Sequence, residues 1–160
     1  KANSYNNNVQ IVVTRDYVML YTELGNDPRI VRLENSPFLD HRIATWTGSS
    51  RGRWEGDSLV VETRHFNPNM ASIFMRAVAF GSAAEMVLTE RFTRVGDGAL
   101  EYEFTVDDPA TFTEQIVGVT HFSRLDAPIY EFACHEGNYA LLNMLRGARL
   151  EELRAEGYDQ

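Results

Sequence analysis

The sequence predicts an all-β protein, an antiparallel lipocalin-like β-barrel with one amphipathic helix near its C-terminal end. Three observations carry that expectation. Short β-branched and aromatic runs recur along most of the chain. Turn residues separate them at hairpin spacing. Several runs are apolar on both faces, as Leu59, Val60 and Val61 are, which places them under cover on both sides or along an apolar cavity. A two-sheet β-sandwich is the alternative architecture.

The elements follow in order. Residues 9–14 and 17–23 read as a tight hairpin around Arg15-Asp16, and Leu24-Gly25-Asn26-Asp27-Pro28 is a turn before a short strand at 29–33. Residues 34–40 read as a loop and 41–47 as a strand. Arg53-Trp54 and residues 59–66 form a second hairpin across Glu55-Gly56-Asp57-Ser58. Residues 85–95 and 99–106 form a third around Gly96-Asp97-Gly98. Asp107-Asp108-Pro109 ends it, and 112–123 and 128–135 supply the last strands. Residues 68–84 break the pattern: Met70, Ile73, Phe74, Met75, Val78 and Phe80 among alanines suit an inserted helical lid or interface. Residues 139–156 carry Leu141, Leu142, Leu145, Ala148 and Leu153 at helical spacing, the expected amphipathic helix packed on the sheet.

With 160 residues the chain makes one domain, 1–160, and a formal charge of −8 argues against nucleic acid and anionic lipid as partners. No apolar run approaches the ~20 residues of a membrane span. The lone cysteine, Cys134, excludes an internal disulfide and a cysteine-based zinc site. The chain begins at Lys1 without a signal-peptide pattern, which suggests a processed product. No P-loop, GxGxxG or nucleophile elbow occurs. His41, His65, His121 and His135 stand in no ligand spacing. No metal and no cofactor are therefore expected.

The residue chemistry supports acid–base work. His135 titrates near neutral pH and Glu136 can orient it or act as a base. The structural reading of the same segment is a helix start, with Asn138 as cap. Glu62 on a partly apolar strand can take a raised pKa, or simply pair with Arg64. Glu90 interrupts an apolar stripe of Met86, Leu88 and Phe92. If buried it needs a partner, for which Arg51 or Arg53 is a candidate. Arg53 is also the candidate for stabilising negative charge. Trp46, Trp54, Tyr102, Tyr130 and Phe74 are candidate pocket walls, although aromatics more often fill a β core.

Four segments together resemble a family of exported bacterial hypothetical proteins: Tyr5-Asn6-Asn7-Asn8, Ser50-Arg51-Gly52-Arg53-Trp54-Glu55-Gly56-Asp57 running into Leu59-Val60-Val61-Glu62-Thr63, Glu90-Arg91-Phe92-Thr93-Arg94, and Tyr130-Glu131-Phe132-Ala133-Cys134-His135-Glu136-Gly137-Asn138-Tyr139. The resemblance implies a periplasmic or secreted location and no particular activity. The chain departs from the pattern at residues 70–84, which are more apolar and Met-rich. The expected function is a small cofactor-independent isomerase, cyclase or lyase acting on an apolar or aromatic molecule in a barrel cavity. A non-catalytic binder of the same ligands, and an oligomeric module joined through residues 70–80, are the alternatives.

Overall fold

The computed structural model describes residues 8–23, 28–33, 36–69, 73–75, 78–80, 84–130 and 136–157. Its body is one sheet of eight strands: β1 (Val9–Val13), β2 (Tyr17–Thr22), β3 (Arg29–Leu33), β4 (Ser49–Glu55), β5 (Ser58–Arg64), β8 (Val87–Gly96), β9 (Ala99–Asp107) and β10 (Ile116–Ser123). The strands lie in chain order and the sheet curls into a half-barrel, with β1 and β10 as its edges among the described residues. β6 (Ile73–Met75) and β7 (Val78–Phe80) form a separate two-stranded ribbon.

The three expected hairpins are present. Thr14 secures the first: its hydroxyl donates to the Tyr17 carbonyl at 2.9 Å and accepts from the Tyr17 amide at 3.0 Å. In the third, Gly98 takes φ +78°, a left-handed conformation that suits glycine. The pairing of β3 against β4 is parallel, which was not expected from the hairpin pattern. A parallel pair needs a long connection, here residues 34–48. That connection displaces the strand expected at 41–47, which is reduced to a single bridge between Thr45 and Phe66.

Two further expectations are corrected. Residues 73–75 and 78–80 are strands, so the segment expected as a helical insertion is not a helix there. Ile73, Phe74, Val78 and Phe80 are β-branched or aromatic, and their pairing overrides the helix propensity of the intervening alanines and methionine. The C-terminal helix α1 (Ala140–Ala155) forms as expected, but none of its residues is buried. At ~100° per residue, Leu141, Met144, Leu145 and Ala148 make one stripe while Leu142, Leu150 and Leu153 fall on another, with Arg146 and Arg149 set among the second. No single broad apolar face results.

Alternation along the strands puts one face of the sheet in the core. Val18, Leu20, Val31, Leu33, Leu59, Val61 and Phe92 form its main cluster, with Ile11, Tyr102 and Phe122 packed against it. Phe66, Met86, Leu88 and Val106 form a second, joined by Phe104 and Ile116. β5 is the only strand in which four consecutive residues, Ser58 to Val61, are all buried, as the two-faced apolar run predicted. On the inner face Gly118 of β10 stands beside Phe104 of β9, and a methyl at Gly118 would come within 2.4 Å of the Phe104 ring. The aromatic ring thus occupies the space a side chain would take.

Gly118→Ala should therefore destabilise the fold by about 1–3 kcal/mol, the usual cost of overpacking. Gly96→Ala is the control, since a methyl there meets nothing within 4 Å. Urea unfolding of both variants checks this. Equal midpoints for the two would refute the packing role of Gly118.

Candidate functional site

The inner face of the half-barrel carries one buried polar cluster within an apolar surround. Arg29 lies at the start of β3, on the face of Val31 and Leu33, and Glu90 lies in β8 between Leu88 and Phe92. Their side chains are only 12 % and 4 % exposed. The guanidinium meets the carboxylate at both oxygens, Nη1 to Oε2 at 2.6 Å and Nη2 to Oε1 at 2.9 Å. Tyr102 of β9 donates its hydroxyl to Oε1 at 2.9 Å. Arg29 Nη1 also reaches the Thr63 hydroxyl at 3.4 Å, and Thr63 is joined to Ser50 at 2.8 Å.

Burial alone would push Glu90 up and Arg29 down. Their mutual charge and hydrogen bonds override it, so Glu90 sits below its ordinary value and Arg29 above its own. Burial, reinforced by the Glu90 carboxylate, raises Tyr102 above the usual phenol range. Near neutral pH the cluster is therefore a fixed anion, a fixed cation and a neutral phenol. None of the three is poised to exchange a proton there.

Beside the cluster lies an aromatic floor. Tyr102 packs against Phe92 at 4.9 Å between ring centroids, Phe122 at 5.5 Å and Phe104 at 5.8 Å. Tyr102, Phe104 and Phe122 remain partly exposed, so the floor has an accessible side. A surface hollow lies elsewhere. It is lined by Arg94, Asp97, Gly98, Ala99, Ser123 and Arg124 at the β8–β9 turn, and it holds none of the chemistry above.

The structure brings together two of the residues singled out from the sequence, Glu90 and Tyr102. Glu62 lies on the opposite, outer face and is ion-paired with Arg64. Arg53 is also on the outer face, where it and Arg91 share the carboxylate of Glu55. This corrects the partner expected for Glu90. Neither Arg51 nor Arg53 can serve, because both point outward, and Arg29 takes the place. The signal was legible, since Arg29 alternates with Val31 and Leu33 on a core-facing strand. Trp46, Trp54 and Tyr130 are all more than half exposed. Glu136 is exposed in the turn before α1, whereas His135, Cys134 and the side chain of Phe74 lie outside the described residues.

A second polar group covers one end of the outer face. Phe38 lies under two guanidinium groups, Arg51 at 4.6 Å and Arg64 at 5.4 Å from the ring centre, and meets the His65 ring edge-on at 6.0 Å. His65 adopts φ +58°, and its Nδ1 is buried with no hydrogen-bond partner among the described residues. No described helix is long and apolar enough to cross a membrane.

No family model, curated protein or solved structure matches the chain. What the site does must therefore come from its own geometry.

Glu90→Gln should cost about 3–5 kcal/mol, because it strands a buried guanidinium. Replacing both partners, as Arg29→Met with Glu90→Leu, should recover most of that loss. The pH dependence has a definite sign. Glu90 is depressed below its ordinary value of 4.5, so its stabilisation is complete above that pH and is lost as pH falls through the folded value. Acid unfolding followed by circular dichroism should show this loss in the wild type and not in the double variant. A wild type and double variant with the same acid profile would refute it.

Proposed function

We propose that the protein binds an apolar or aromatic small molecule on the concave face of the half-barrel, without turning it over. The observation that carries this reading is the partly exposed floor of Tyr102, Phe104 and Phe122 set against a buried, ion-paired Arg29–Glu90 cluster. An aromatic floor of this kind offers planar ligands offset-stacked contacts. Binding is favoured over catalysis because Glu90 is held as an anion and Tyr102 as a neutral phenol. Glu62 is removed to the far face. A periplasmic location, suggested by the sequence resemblance, would suit a ligand-collecting role.

Titration with the fluorescent probe 1-aminoanthracene tests this. The folded protein should give saturable enhancement with a dissociation constant in the micromolar range, about −8 kcal/mol. Phe122→Ala should weaken binding roughly tenfold through lost ring contact. Tyr102→Phe, which keeps the ring, should change it far less. Absence of saturable binding, or equal affinity for Phe122→Ala and wild type, would sink the reading.

A further inference from the structure

The outer face of the sheet has a charge pattern that the ligand reading does not use. Its register places Arg32 of β3 directly opposite Arg51 of β4, with Arg53 further along β4, Arg64 on β5 and Arg91 on β8. Glu55 and Glu62 are the acidic residues among them. This half of the face thus has an excess of positive charge in a protein whose formal charge is −8. Immediately beyond, β9 presents Glu101, Glu103 and Asp107, and β10 presents Val117, Val119 and His121. Val117 and Val119 are 60 % and 56 % exposed.

The internal ion pairs leave a residue of unmatched charge on each half. Arg53 and Arg91 share Glu55, Arg64 takes Glu62, and Glu101 meets only His121. Among the described residues Arg32 and Arg51 have no carboxylate partner, although Arg51 lies over Phe38, and Glu103 has no cationic one. Like charges directly opposite on neighbouring strands are unfavourable unless something neutralises them. The basic residues lie mainly on β3 to β5 and the acidic ones on β9, with Arg91 of β8 between them on the same face.

We propose that this face is the interface of a homodimer in which the basic half of one copy lies over the acidic half of the other. Within the strand order β3-β4-β5-β8-β9-β10 the midpoint falls between β5 and β8. A two-fold axis along the strands at that midpoint lays β4 over β9 and β3 over β10, twice. Such an axis keeps position along the strands, so Arg53 of one copy faces Glu103 of the other and Arg51 stands between Glu103 and Asp107, whereas Arg32 faces Val117 and Glu55 faces Glu101. The arrangement repeats in both halves of a closed, isologous pair. The occupant is therefore a second copy of this chain rather than a generic acidic partner. The face curves away on both sides of the axis, so the contact is centred on β4, β5, β8 and β9. It forms a small, polar, salt-sensitive interface. The ligand floor lies on the opposite face, and neither proposal depends on the other.

Sedimentation velocity on the purified chain tests this with two charge-reversed proteins, Arg51→Glu with Arg53→Glu, and Glu101→Arg with Glu103→Arg. The wild type should dimerise at about 50 mM salt and dissociate at about 500 mM, where screening is nearly complete. Each reversed protein alone should lose at least tenfold in dimer affinity. An equimolar mixture of the two should regain a heterodimer, because both reversed contacts become attractive again. Circular dichroism on each variant confirms folding. If one reversed pair fails to fold, Arg32→Glu or Glu103→Arg alone carries the loss arm. A wild type that stays monomeric at low salt would overturn the proposal. So would a dimer indifferent to both reversals, which would place the contact on the β6–β7 ribbon or the α1 leucines. Folded reversed proteins that do not pair with each other would overturn it too.

Discussion

The Arg29–Glu90 ion pair is the constraint to which the rest of the inner face is fitted. β3 and β8 are separated by two strands, so in a flat sheet their backbones would stand on the order of 14 Å apart. Leu33, not Arg29, shares a register row with Glu90 through Gly52 and Val61, which adds a four-residue offset along the strand. An arginine and a glutamate cannot span both separations unless the sheet curls and coils. The pair is thus a chord across the curve. It requires a curled sheet, and Thr63, Ser50 and Tyr102 extend the hydrogen bonding along its path. A buried pair of this kind is weak evidence for net stability. Its value lies in excluding flatter or slipped arrangements, in which two desolvated charges would be left apart.

The same pair separates binding chemistry from proton chemistry. A carboxyl on an apolar stripe suggests a raised pKa and a catalytic acid. Here the arginine reverses that shift, and burial together with the Glu90 carboxylate pushes Tyr102 upward, away from acid chemistry. Polar residues interrupting an apolar face are therefore ambiguous until their partner is known. Partner identity depends on the face, and face depends on strand parity. Arg51 and Arg53, both in the motif-rich hairpin, fall on the outer face by that parity, whereas Arg29 falls inside.

How much the sequence reveals follows from how local each feature is. The three hairpins are governed by turn residues and β-branched runs within a few positions of each other, and all three form as read. The parallel joint is governed by the long connection at 34–48, in which no residue signals direction. The segment around Ile73 contains both helix-favouring and strand-favouring residues, and pairing rather than propensity decides it. Helical spacing in residues 139–156 correctly predicts α1, but not its isolation, because its leucines divide between two stripes. Of the candidate site, Glu90 and Tyr102 are legible as an acid and an aromatic on core-facing positions. Their bond to each other is not, because it depends on the register between β8 and β9.

The parallel joint also bears on the order in which the molecule assembles. It divides the sheet into two antiparallel meanders, β1–β2–β3 and β4–β5–β8–β9–β10. Within each, neighbouring strands follow chain order, joined by tight turns at β1–β2, β4–β5 and β8–β9 and by longer connections elsewhere. Uniting them means closing the connection at 34–48, with a chain-entropy cost of roughly 2–3 kcal/mol before any contact across the joint is gained. Arg29 belongs to the first meander and Glu90 to the second. Each charge therefore stays hydrated while its own meander forms, and both lose water only when the two halves dock. Closure of the parallel joint and the desolvation of the ion pair are then a single event.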